Sequence, residues 1–250
     1  GNLLRLRIAF SLADKQPETA SQVLNEVLND ASGVIGSNAE TAQFIYEDAP
    51  QQNPVSTWFD TRDDYRIAKT IVDKLYALND PRLPIFANKP TDASVNEYVG
   101  VPSGLTTSEA SNLGFARTSK PGSYFSAPHA PAVIFSYAEV LFYQAEAAAR
   151  GFTGDNASDL YKQAITASLK QYGITDATVI DDYHAQAEVR YDAADFKKSI
   201  GDQKWIALFG EGLEAFAEWR RLDYPQLSPG VSAVLEGRIP VRFIYPGTEQ

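Results

Sequence analysis

The chain has no cysteine, no methionine and only two histidines in 250 residues. Without cysteine there are no disulfides, no thiolate metal sites and no cysteine nucleophile. That absence fits a cytosolic protein and equally a Gram-negative secreted one that does without bridges. The absence of methionine, with Gly1 reading as a cut point, fits an internal piece of a longer chain or one whose methionines have been lost. No apolar run approaches the roughly 18 residues of a membrane span, so any membrane attachment is expected outside these residues. No signal peptide opens the chain, because Gly1-Asn2-Leu3 leads directly into helix-like sequence. Basic residues are outnumbered by acidic ones, 22 to 32, for a net charge of −10. That balance argues against nucleic acid, whose phosphates require clustered Lys and Arg, and against an anionic lipid surface. His129 and His184 lie far apart, and neither sits in a zinc-protease or triad-like setting. Gly210-Glu211-Gly212 lacks a preceding strand and a following Lys-Ser/Thr, so it reads as a helix stop and not as a phosphate cradle.

What is present is an ordinary globular composition, 44% hydrophobic and 22% charged, in a chain long enough for one large domain or two small ones. Most of it carries helical periodicity. Leu3 to Asp14 reads as a helix. Pro17 opens a second one, in which Ala20, Val23, Leu24, Val27 and Leu28 form an amphipathic stripe, and the two make a hairpin. Residues 33–54 are polar, with an extended piece expected at Thr41–Tyr46. Asp64 to Leu78 is expected to be helical, with Ile67, Ile71, Val72 and Leu75 buried, and Asn79-Asp80-Pro81 stops it. Leu83 to Phe86 reads as extended.

Pro131 to Arg150 is the strongest helical pattern, apolar around most of its circumference, as for a helix buried between neighbours. Asn156 caps the next helix, and Gly173 supplies its left-handed terminus. With small residues at Ala145, Ala148, Ala164 and Ala167, this pair is similar to a tetratricopeptide unit. A further pair is expected over Tyr191–Phe209 and Glu211–Leu222, and an extended end over 237–246. Residues 88–130 form a long irregular insertion, a length that in a compact domain usually marks function or disorder.

Gln203 to Pro225 is the densest motif. Trp205, Leu208 and Phe209 share a helical face, Gly210 and Gly212 break it, and Leu213, Phe216 and Ala217 resume an apolar stripe that closes at Trp219-Arg220-Arg221 and Tyr224-Pro225. This run resembles the signature of the SusD/RagB family, and most closely its SusD-like group two. Further matches follow in order: Thr61-Arg62-Asp63-Asp64-Tyr65-Arg66 through Leu83-Pro84, Ser136 to Val140 with Gln144 to Ala147, Gln171-Tyr172-Gly173, Ile239 to Arg242, and Tyr245 to Glu249. Members of that family are longer, with a lipidated N-terminal cysteine and more tetratricopeptide helices, and they continue past the Tyr245 segment. The resemblance implies that residues 1–250 form a single SusD-like domain equivalent to the central and C-terminal part of such a protein. It also implies a mainly α fold, a tetratricopeptide-like right-handed helical array with long irregular loops. The function implied is that of a cell-surface lipoprotein of Bacteroidetes-type outer membranes, which binds a glycan or other nutrient and delivers it to a SusC-like TonB-dependent transporter without catalysing a reaction.

Residue chemistry gives no convincing catalytic set. Glu211, Glu214 and Glu218 at helical spacing beside Lys204, Arg220 and Arg221 read as a solvated or ion-paired helix face. The acidic pairs Asp63-Asp64, Asp155-Asn156 and Asp181-Asp182 do not match an EF-hand loop, so neither a metal site nor a cofactor is expected. The aromatics of Gln203–Pro225, Trp219 included, are assigned to the core. Those elsewhere are not claimed by any helix stripe: Trp58, Tyr98, Phe115, Tyr124 and Phe125 sit among Asn, Ser, Thr and Gly. A ring beside amides and hydroxyls suits a sugar, whose C–H face stacks while its hydroxyls hydrogen-bond. These five, with Asn96 and Ser123, are the expected ligand residues. Two rivals stand beside this reading: a tetratricopeptide scaffold for a protein partner, and a helical glycoside hydrolase, which needs two facing carboxylates.

Overall fold

In a computed structural model that describes residues 1–233, 237–242 and 246–249, the chain is mainly α. It opens with α1 (Asn2–Leu12) and α2 (Pro17–Leu28), whose hairpin buries Leu6, Phe10, Leu24 and Val27. Strand β1 (Ala42–Phe44) follows, inside the extended piece expected at Thr41–Tyr46. Then come α3 (Pro54–Thr61), α4 (Lys69–Ala77), the single turn α5 (Leu83–Phe86), α6 (Thr107–Leu113) and the single turn α7 (Ser123–Ser126). Strand β2 (Ala132–Phe135) pairs antiparallel with β1, Phe44 opposite Ala132. The remaining helices are α8 (Tyr137–Ala149), α9 (Ala157–Gln171), α10 (Ala177–Ala185), α11 (Phe196–Ala207) and α12 (Gly212–Leu222).

Four elements depart from their sequence patterns. Residues 131–135 are not the start of the long helix but a strand, because Ser136 caps the helix by accepting a hydrogen bond from the Glu139 N–H at 3.2 Å. Residues 64–68 are extended and not helical, since the Ile67 N–H donates to Ser119 and its carbonyl accepts from Val101. Leu83–Phe86 closes into a helical turn instead of a strand, and the helix expected from Tyr191 begins only at Phe196, capped by Asp195. Four helices went unread, α3, α10 and, inside the insertion expected to be irregular, α6 and α7, although Asn53-Pro54, Thr106 with Glu109, and Asp176 are ordinary start signals. Of the extended end expected over 237–246, residues 243–245 lie outside the described residues, and the others form no helix or strand.

Helix α8 is the axis of the molecule. Leu141, Phe142 and Ala145 join the larger core with α4, α5, α9, α10 and α11, while Tyr143 and Ala147 point to the smaller core made by α1 and α2. A helix apolar nearly all round is thus buried on both sides, as its pattern requires. Residues 88–130 fold back onto the body: the Lys69 N–H donates to Val101, the Val101 N–H donates to Ile67, and Gly122 donates to Phe86 at 2.8 Å. A Cβ at Gly122 would lie 1.9 Å from the Ile85 carbonyl oxygen, so only glycine permits this approach.

Candidate functional site

Two short helices bring the site together. At the start of α3, Asn53 accepts from the Val55 N–H at 2.8 Å and donates to the Ala130 carbonyl at 2.7 Å, fixing the helix against the segment that leads into β2. Trp58, one turn on, is 44% exposed and stacks on Tyr65, ring centroids 4.7 Å apart. Helix α7, held close to α5 by Gly122, supplies Tyr124 and Phe125. Behind them lies an aromatic cluster centred on the fully buried Phe86, which meets Phe209 at 4.6 Å, Tyr172 at 4.8 Å and Phe125 at 5.4 Å.

Trp58, Tyr124 and Phe125 converge on a cleft of about 230 Å³ completed by Tyr46, Asn53, Tyr172, Phe209 and Glu211. Past Trp58 and Phe125 the cleft continues into an open apolar groove of about 520 Å³, which all three tryptophans of the chain line, Trp58, Trp205 and Trp219. The combination of ring faces with a few amide, hydroxyl and carboxyl groups is what a sugar-binding cleft requires.

Of the seven expected ligand residues, then, Trp58, Tyr124 and Phe125 share the cleft and the other four stand away from it. The backbone N–H of Tyr98 donates to the Tyr76 hydroxyl at 2.7 Å, and its ring packs on the larger core beside the Lys89 ammonium. Phe115 is exposed but lies under the Arg66 guanidinium, 5.1 Å from its centroid. Asn96 and Ser123 are exposed and line no part of the cleft. Sequence reading missed Tyr46, Asn53, Tyr172, Phe209 and Glu211, which come from three separate stretches of the chain. It also placed Trp219 in the core. The structure leaves Trp219 half-buried on the groove wall, its indole N–H donating to the Pro225 carbonyl at 3.1 Å, because α12 is covered on one side only.

The carboxylates beside the cleft are buried and ion-paired, not solvated. Arg7 of α1 donates to both oxygens of Glu139, at 2.7 and 2.8 Å, and to Glu211 at 3.2 Å, with Glu214 3.4 Å away. Burial and then the charge of Glu139 push the Glu211 carboxyl up to about 8 against the pull of Arg7, so it holds a proton at neutral pH. Glu218 behaves oppositely. Burial works against its ionisation, yet Arg221 and Lys204, the latter 2.8 Å away, hold it down at about 2.

No curated protein matches the chain. Among solved structures it is similar to a chitin-binding protein, with 28% identity and a TM-score of 0.84, over 99% of this chain and 57% of that one. It is likewise similar to a chitin-binding SusD homologue from Flavobacterium johnsoniae (27%, TM-score 0.83, 96% of this chain and 54% of that one) and to a SusD homologue from Bacteroides uniformis (26%, 0.78, 92% and 52%). The chain spans little more than half the length of these relatives. A family profile, SusD-like_2, starch-binding associating with outer membrane, matches residues 1–246, and the chain belongs to that SusD-like family.

Proposed function

We propose that this chain is the glycan-recognising part of a cell-surface subunit that hands oligosaccharide to a SusC-like TonB-dependent transporter in the outer membrane, anchored by lipid outside these residues. The observation that carries the reading is the convergence of Trp58, Tyr124 and Phe125 on one cleft with Asn53, Tyr46 and Glu211. Ring faces stack on the sugar, Asn53 and the tyrosine hydroxyls meet its hydroxyls, and the protonated Glu211 carboxyl is a hydrogen-bond donor suited to an amide or hydroxyl oxygen. The chitin-binding relatives make a chito-oligosaccharide the first candidate. Isothermal titration with such an oligomer is expected to give a micromolar-to-millimolar Kd, about 4 to 8 kcal/mol. Trp58→Ala is expected to weaken it at least about tenfold, about 1.4 kcal/mol. Unchanged affinity would move the site out of this cleft.

One observation favours the hydrolase alternative: Glu211 carries a raised pKa at the cleft wall. Against it, the carboxylates whose charge acts on Glu211, Glu139 and Glu214, both meet Arg7, Glu139 at 2.7 Å and Glu214 at 3.4 Å, and neither lines the cleft, so neither offers a base to water there. Incubation with chito-oligosaccharide is expected to release no new reducing ends. Release that disappears in Glu211→Gln would favour the hydrolase.

A further inference from the structure

A second concavity, of about 620 Å³, lies between α8, α9 and α10 and shares no lining residue with the Trp58 cleft. Its chemistry differs. Lys162, Thr166 and Lys170 fall at i, i+4 and i+8 of α9, so all three stand on the same face of the helix and line the concavity. The Thr166 hydroxyl lies 2.9 Å from Nε2 of His184, which fixes α10 as the facing wall. Tyr137, at the first turn of α8, contributes a half-buried ring.

Two observations say what would fit there. First, neither Lys162 nor Lys170 has an ion pair or a hydrogen bond among the described residues, whereas Lys74, Lys197, Lys198 and Lys204 all meet carboxylates. In a chain of net charge −10, two unpaired ammonium groups flanking one concavity are a local reversal of sign. Second, the other titratable groups facing the space do not cancel them. Asp181 carries one negative charge, and His184 is kept neutral by burial and then by Lys162, against Asp181.

We propose that this concavity is a second ligand site, for a sugar that carries a carboxylate, a uronic-acid residue. The carboxylate lies between Lys162 and Lys170, and the Tyr137 ring covers an apolar face of the pyranose. The site is independent of the Trp58 cleft and of what binds there.

Glucuronic acid and glucose, titrated at low salt where charge is least screened, test the assignment. Glucuronic acid is expected to bind at least about tenfold more tightly than glucose, and Lys162→Gln with Lys170→Gln to remove that advantage. Both lysines are exposed, so the double variant keeps the fold. A second readout is independent of affinity. A bound anion must raise the pKa of His184 by the same coupling through which a protonated His184 tightens the anion, and with only two histidines in the chain its ring resonance is readily followed against pH. Equal affinity for the two sugars, unchanged glucuronate affinity in the double variant, or an unmoved His184 titration on adding glucuronate would overturn the proposal.

Discussion

Glu211 and Glu218 sit seven residues apart around one Arg- and Lys-rich seam, yet titrate in opposite directions. The difference lies in their counter-charges. Glu218 meets two, Lys204 and an Arg221 that it shares with Glu146, and its pKa falls to about 2. Glu211 shares Arg7 with the better-placed Glu139, and burial carries its pKa to about 8. Because the folded-state value of Glu211 lies above the unfolded value of about 4.3, the folded protein binds the extra proton between those limits. Its contribution is therefore fully present below about pH 4 and is lost as pH rises through about 8. Glu211→Gln is expected to be near neutral for stability at pH 5 and stabilising at pH 9, read from urea unfolding at both values. An equal effect at the two pH values would show that Glu211 is ionised throughout.

Among the elements, α7 is one of the shortest and the most consequential for the cleft. It holds Tyr124 and Phe125 in place through one close backbone approach, Gly122 under Ile85. Gly122→Ala has no room for its methyl group and is expected to push α7 away from α5. Glycan affinity should fall with it, while the helical circular dichroism, carried by α8, α9 and α11, stays near the wild-type signal. Affinity retained in this variant would mean that α7 does not position ligand groups. Helix α8 is the opposite case, a structural element with no part in the cleft. Leu141 is 3% exposed within the larger core, and Leu141→Ala is expected to cost about 2 to 5 kcal/mol in chemical denaturation. A loss well under about 1 kcal/mol would mean that the neighbours collapse into the space.

In the molecule as a whole, two hydrophobic cores meet on α8, one through Leu141, Phe142 and Ala145 and one through Tyr143 and Ala147. The smaller core is also fastened by charge. Arg221 spans to Glu146, and Tyr143, its hydroxyl 3.2 Å from Glu218, lies under the Lys204 ammonium, 3.3 Å from the ring centroid. Neither core can lose its packing without exposing a face of the shared helix. Heat or urea unfolding is therefore expected to be one transition, with near- and far-ultraviolet circular dichroism coincident. Two separated transitions would show α1 and α2 coming off first.

Helical class, the order of the main helices, the two-sided burial of α8 and the terminator at Gly173 were all legible in the sequence, because they follow from apolar periodicity and from φ preferences acting within a few residues. The family was legible too, from motifs spread along the chain in a fixed order. Tertiary contacts decided the rest. Residues 131–135 and 64–68 became extended because distant residues, Ala42–Phe44 for the first and Val101 and Ser119 for the second, offered them hydrogen-bond partners. The cleft draws Trp58, Tyr124, Phe125, Tyr172 and Glu211 from four separate elements and turns. The sequence marked three of these as aromatics without a helix stripe, but it did not separate them from Tyr98 and Phe115, which have the same local surroundings. Convergence is a property of the packed chain, since each of these residues reaches the cleft through contacts with segments far from it in sequence. The state of Glu211 has the same origin: its spacing from Glu214 and Glu218 promises a charged helix face, and only the arrival of Arg7 and Glu139 from α1 and α8 determines which carboxyl keeps its proton.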